Sequence, residues 1–214
     1  MNKSVRAIAV VVLGACAPVF AQAGELTQQL ADAYRDVGAM KASIVQKTTS
    51  ASFGEVVQRI TLEMERPGRV RWGFEDGRLL LMDGSFVWHY TPAMNQAIRM
   101  PQDTDSKSAM SLLQSLDKVD EIFDVTELPV VVGSDERGLD LVPKGAEAAV
   151  TMRLFVGKDL GLRRIEIKDA FDTRTEMTFN AVERLKDLPD ERFVFTPYGW
   201  LAAFRDRGVS RVSR

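Results

Sequence analysis

One histidine, His89, and one cysteine, Cys16, are all that 214 residues contain of two side chains much used to bind transition metals. A lone histidine excludes every multi-histidine metal site, and it narrows the scope for a serine, histidine and acid triad. Cys16 lies in an N-terminal stretch that looks removable, so a chain cleaved beyond it has no thiol for a disulfide, a metal or nucleophilic attack. Glycine-rich phosphate loops of the Walker or dinucleotide type are missing, and no serine sits in a Gly-x-Ser-x-Gly turn. Neither sign of charge dominates: 28 Lys and Arg stand against 30 Asp and Glu, a formal net charge of -2. That balance gives no basic field to hold nucleic acid or an anionic membrane. The acid pairs Asp135-Glu136 and Asp190-Glu191 stand beside turn formers and read as solvated turn charges. No catalytic group, metal or cofactor is implied.

The first residues differ from the rest. Lys3 and Arg6 precede an apolar run from Ala7 to Phe20, and Ala21-Gln22-Ala23 follows as a small-residue cleavage site. This is a secretory signal pattern over residues 1–23, leaving an exported domain over 24–214. Leu13-Gly14-Ala15-Cys16 also resembles a lipobox, so lipidation of Cys16 is the alternative; the downstream site favours ordinary cleavage. Losing Lys3 and Arg6 with the leader takes the formal net charge from -2 to -4. No later segment offers about 18 continuous apolar residues, so no permanent membrane helix is expected.

Beyond the leader, Leu26, Leu30, Ala33, Tyr34 and Val37 recur at three- and four-residue steps and predict one amphipathic helix over Glu25 to Val37. The period then changes to two. Ile60, Leu62 and Met64 alternate with polar neighbours, as do Val70, Trp72 and Phe74. Asp83-Gly84 reads as a tight hairpin between Leu79 to Met82 and a strand whose Phe86, Trp88 and Tyr90 share one side, with His89 opposite at a solvent-side position. Val150 to Val156 and Thr175 to Ala181 continue the alternation, and shorter strands are expected at Ala42 to Lys47, Phe123 to Val132, Leu139 to Val142, Leu162 to Lys168 and Phe193 to Phe195. Asp105 or Ser106 is placed to cap a second helix whose Ala109, Met110, Leu112, Leu113 and Leu116 form an apolar stripe. No linker or repeat divides the chain. Many antiparallel strands with few helices predict an α+β fold, an incomplete antiparallel barrel with a helical cover, while a sandwich fits the same alternation.

Soft apolar side chains are plentiful: 9 Met, 11 Phe and 3 Trp. An adaptable binding surface and a plain core both use such residues, and composition does not separate them.

The segment Glu65-Arg66-Pro67-Gly68-Arg69-Val70-Arg71-Trp72, then Met82-Asp83-Gly84-Ser85-Phe86-Val87-Trp88-His89-Tyr90 and Asn95-Gln96, resembles the signature stretch of LolA-like lipoprotein carriers. Val45-Gln46-Lys47, Leu139 to Lys144 and Phe193-Val194-Phe195-Thr196-Pro197 extend the similarity over nearly the whole mature chain. The resemblance implies a periplasmic, non-enzymatic chaperone in which a half-barrel and helical lid enclose an apolar cavity for lipoprotein acyl chains. It implies a LolCDE-type inner-membrane ABC transporter as donor and a LolB-type outer-membrane acceptor as recipient, with the carrier a monomer. For that cavity, the strand alternation and the helical stripe put Ile60, Leu62, Met64, Val70, Trp72, Phe74, Phe86, Trp88, Tyr90, Met110, Leu113, Met152, Leu154, Met177 and Phe179 on the wall. Arg66 falls where the family's arginine is thought to bond the lid backbone. Tyr198 to Phe204 and the arginines after it match nothing in the family pattern. LolA-like domains that regulate a sigma factor or move other lipids give the rival reading, a lipid-binding sensor.

Overall fold

Leu26, Leu30 and Tyr34, at four-residue steps, are all buried, so Glu25–Tyr34 forms helix α1 with one face in the interior. The structure is a computed structural model that describes residues 24–103, 108–145 and 150–196. The expected leader over 1–23 lies outside the described residues.

Eleven strands follow the period-two segments: β1 Ala39–Ser50, β2 Gly54–Glu65, β3 Arg69–Phe74, β4 Leu79–Asp83, β5 Phe86–Thr91, β6 Gln96–Pro101, β7 Phe123–Glu127, β8 Arg137–Pro143, β9 Thr151–Val156, β10 Leu162–Lys168 and β11 Arg174–Leu185. They make one antiparallel sheet in the order β6-β5-β4-β3-β2-β1-β11-β10-β9-β8-β7. Most neighbours are hairpins, and the long β1 joins the two halves by pairing with β2 on one side and β11 on the other. Strands β6 and β7 end the sheet without meeting, so the barrel stays open.

Between the halves lie α2 (Ala109–Gln114) and α3 (Val119–Ile122). Ser108 caps α2 by accepting from Ser111 N at 3.4 Å while Ser111 Oγ accepts from Ser108 N at 2.7 Å. The expected caps, Asp105 and Ser106, lie outside the described residues. Leu26, Leu30 and Tyr34 of α1 and Leu112 and Leu113 of α2 share one buried cluster with inward side chains of strands from β3 round to β7. Helices against one face of a single sheet, packed on strands from both halves, describe a half-barrel wrapped round a helical lid; a sandwich is excluded.

The other face carries a second, smaller cluster. Leu79 and Leu81 of β4 and Ala39 of β1 are covered by Leu188 and Phe193, with Trp88, Tyr90 and Phe195 packed against them. Residues 188–195 therefore cross the outer face as a strap that includes a 3₁₀ turn, Asp190–Phe193. The strand expected at Phe193 to Phe195 does not form: side chains seal this segment onto the sheet, and β11 is the last strand in chain order among the described residues. The strand expected from Phe123 to Val132 stops at Glu127, and Val130, Val131 and Val132 are exposed in the following loop. Strand β6 and helix α3 had no expectation. Every residue of β6 is exposed, so it carries no buried alternation, and α3 is a single turn.

Candidate functional site: the lidded inner face

Cross-strand pairs fix which side chains share the inner face. Ile60 pairs with Phe74, Leu62 with Trp72 and Met64 with Val70. On the other half, Leu154 pairs with Ile165 and Leu139, and Met177 with Ile165. Of the expected wall residues, Ile60, Leu62, Met64, Val70, Trp72, Leu113, Met152, Leu154, Met177 and Phe179 are buried in the inner cluster, and Phe74 and Met110 pack against it partly exposed. The structure brings these twelve together, ten on the sheet and Met110 and Leu113 on the lid helix above it.

Phe86, Trp88 and Tyr90 are a correction. Trp72 pairs with Leu80, and Leu80 with His89; Trp88 pairs with Leu81, and Tyr90 with Leu79. These three aromatics thus point to the outer face, where Phe195 stacks on Trp88 with ring centroids 4.6 Å apart and meets Tyr90 edge-on at 5.9 Å. The sequence pattern misled because Leu79 to Met82 is apolar at both parities, and because the strap gives large side chains a dry site outside the barrel. His89 is exposed, as expected, but on the inner side of the sheet.

The residues that do continue the inner face are Leu80 and Met82 of β4, Val87 of β5, and Ile98 and Met100 of β6. Leu80 and Met82 still touch the inner cluster, whereas Ile98 is 48% and Met100 42% exposed. An apolar row of Val70, Met82, Val87 and Met100 therefore runs from the core under the lid out to the open edge, while in the neighbouring row His89 stands between Leu80 and Ile98. None of these five was expected in the wall; the only signal was the both-parity apolar run in β4.

Arg66 stands at the end of β2 in the same register as Ile60, Leu62 and Met64. Its guanidinium donates to the Tyr34 carbonyl at 2.7 Å and to the Val37 carbonyl, both just at the C-terminal end of α1, and pairs with Asp117 between α2 and α3. A guanidinium on an apolar face needs such partners, and a planar fork reaches several at once. The Tyr34 carbonyl is among those a helix end leaves without an intrahelical donor, and the Val37 carbonyl lies three residues beyond the helix. Its side chain is 18% exposed and that of Asp117 25%, so water screens the pair only partly.

Among the described residues, two surface clefts of about 590 and 490 Å³ have mixed charged linings. The first lies between α1 and the α3 region, with Gln28, Arg35, Asp120 and Lys144 among its residues. Among the described residues no group of three His, Cys, Asp or Glu is placed to hold a metal, and no helix is long and apolar enough to cross a membrane.

The profile of a family described as outer membrane lipoprotein carrier protein LolA matches residues 35–196, most of the chain. The chain belongs to the LolA family. Curated relatives named outer-membrane lipoprotein carrier protein include one from Dechloromonas aromatica, 28% identical over 186 residues that cover 84% of this chain and 87% of the relative. Another, from Nitrosomonas europaea, is 28% identical and covers 78% of this chain and 82% of its own length. Among solved structures, a LolA superfamily protein of Nitrosomonas europaea superposes with a TM-score of 0.48 and 14% identity over 81% of this chain and 97% of its own.

The Asp-Gly hairpin of this LolA-family sheet is set by one carboxylate. Asp83 accepts from Ser85 N at 2.9 Å, Phe86 N at 2.8 Å and Trp88 Nε1 at 2.9 Å. Burial works against its charge, but the bonds from Trp88, Phe86 and Ser85 and the nearby Arg99 outweigh it and hold the carboxyl below its ordinary range. In the lid, burial pushes the Tyr34 phenol up, against the Arg184 charge that lies over its ring.

Proposed function

We propose that this LolA-family chain is a periplasmic, non-enzymatic carrier that shelters lipoprotein acyl chains against the inner face of its half-barrel. It receives them from a LolCDE-type inner-membrane ABC transporter and passes them, as a monomer, to a LolB-type outer-membrane acceptor. The observation that carries this reading is Arg66: a cation on the apolar side of the sheet, bound to backbone carbonyls at the end of a lid helix. Such an anchor closes the lid in water and gives way when an apolar guest makes the open form the better one. The adaptable Met40, Met64, Met152 and Met177 suit a guest of variable shape. Opening breaks the hydrogen bonds of the Arg66 guanidinium, a cost that acyl burial at about 0.8 kcal/mol per CH₂ offsets within a few methylenes.

Native mass spectrometry of the protein exported with its own leader tests this. The expected result is a fraction carrying acyl-chain mass or a co-purified lipoprotein, on a chain that begins near Gly24. An empty protein that takes up no diacylated peptide on mixing would sink the carrier reading, and a species beginning at Cys16 with added lipid would make the chain itself membrane-anchored.

A further inference from the structure

Arg66 uses only the first side chain of the Arg-Pro-Gly-Arg step, and the backbone behind it is occupied as well. Gly68 donates its N–H to Gln114 Oε1 at 3.1 Å, and its carbonyl accepts from Gln102 Nε2 at 2.9 Å. The Arg69 carbonyl accepts from Gln114 Nε2 at 3.2 Å. Gln102 follows the last residue of β6 and Gln114 is the last residue of α2, so the two amides stand at either end of the segment that carries α2. Gly68 has φ +75°, and a Cβ there would lie 3.1 Å from Gln102 Nε2. Glycine is what this turn needs, both for its backbone angle and for the approach of the amide.

We propose that Gln114, with Gln102, is a second latch: an uncharged clasp that clips both ends of the α2 segment to the Gly68–Arg69 turn and sets how readily α2 lifts from the inner face. Arg66 does not do this. Its partners are Tyr34 and Val37 at the end of α1 and Asp117 beyond α2, and none belongs to α2 itself. Apart from the clasp, α2 is held by apolar packing, with Leu112 and Leu113 buried and Ala109 and Met110 against the same cluster, contacts that an acyl chain beneath it can replace. Neutral hydrogen bonds exchange with water at small net cost, so the clasp opens and recloses without stranding a buried charge. The lid then moves in two parts, α1 on a charged anchor and α2 on an amide one. The consequence for cargo rests on the carrier reading above; the clasp does not.

Hydrogen exchange on the empty protein tests it. In Gln114→Leu, which keeps the bulk and removes both bonds, the amides of Leu112 to Ser115 are expected to exchange on the order of tenfold to thirtyfold faster, while α1 amides keep the wild-type rate. Gln114→Glu, which still accepts from Gly68 but has no donor for Arg69, is expected between the two. Unchanged α2 exchange in Gln114→Leu overturns the clasp, and so does an equal rise in α1 and α2, which would make the lid one rigid piece. If Gln114→Leu does not fold, Gln102→Leu is read by the same two outcomes. Because no cargo is present, failed acyl uptake with a normal exchange result removes the carrier reading and leaves the clasp standing.

Discussion

Glu65 and Arg66 are consecutive, yet their side chains leave opposite faces of the sheet. Glu65 accepts Leu188 N at 3.1 Å and pairs with Arg69 on the outer side, while Arg66 reaches the carbonyls of Tyr34 and Val37 on the inner side. Alternation at the end of one strand thus ties the strap and the lid to the same two residues. Glu63, two residues earlier and 9% exposed, strengthens the outer tie through Arg192 at 2.6 Å and Lys41 at 3.7 Å. The end of β2 is where any movement of the lid meets resistance from both faces.

Arg66→Leu is expected to fold and accept a lipoprotein but to hand it over slowly, by at least about tenfold, which matches the loss of roughly one charge-assisted hydrogen bond. The apolar replacement leaves the closed, empty state without its anchor, and the loaded state loses less. Arg66→Lys restores only part, because one ammonium cannot span Tyr34, Val37 and Asp117 together. Transfer from purified carrier to acceptor, timed by gel or fluorescence, measures this; a wild-type rate in Arg66→Leu rules out the latch.

Trp72 and Trp88 are expected to separate. Trp72 is 4% exposed on the inner face, and truncation to alanine should cost about 3 kcal/mol or more and also weaken acyl binding. Trp88 stacks on Phe195 and donates to Asp83, so Trp88→Ala should loosen the strap and the β4–β5 hairpin at a smaller cost, while the surviving folded protein binds acyl probe as before. Urea unfolding beside probe titration makes the comparison, and an equal loss of binding in both variants would contradict the two-face assignment.

Acid should reveal the Asp83 contribution. Its carboxyl is held below the ordinary range when folded, so its stabilisation is present above the unfolded pKa, roughly 4, and is lost as pH falls through the lower folded value. Asp83→Asn should therefore be less stable than wild type near neutrality, with the gap closing at the acid end. Urea midpoints from about pH 6 to 2 follow the gap, and one that stays constant with pH means that the charge of Asp83 contributes nothing.

The strands with one wet face could be read from the sequence because burial and period agree there: Ile60, Leu62 and Met64 alternate cleanly, and Leu162–Lys168 was bounded to the residue. Arg66 was legible from a different signal, its place in the Arg-Pro-Gly step that resembles the family's motif. Legibility failed where both faces of the sheet are dry. Leu79–Asp83 is apolar at four consecutive positions, so parity carries no information, and the aromatics after it were assigned to the wrong side. The strap was misread for a related reason: Phe193 and Phe195 look like strand residues, but they bury against side chains of β4 and β5 without joining the ladder. Gln102 and Gln114 gave no signal at all, since a long-range amide bond to a turn leaves no period.

The inner apolar surface that continues past the lid gives the last prediction. Ile98 and Met100 are about half exposed on the edge strand, so Ile98→Glu or Met100→Glu removes little packing and should change stability by no more than about 0.5 kcal/mol. If acyl chains lie along this edge, the new carboxylate must be desolvated or displaced by the guest, at a cost of roughly 1 to 3 kcal/mol, or about fivefold to a hundredfold in affinity. Ala97 provides the control. It is exposed on the same strand but pairs with Tyr90 on the outer face, so Ala97→Glu adds the same charge within one residue of the surface without touching it. Fluorescent fatty-acid titration of the three variants is expected to show weakened binding for positions 98 and 100 and wild-type binding for 97. Equal weakening in all three would mean that net charge acts from a distance, and wild-type binding in all three would confine the guest to the lidded part of the inner face.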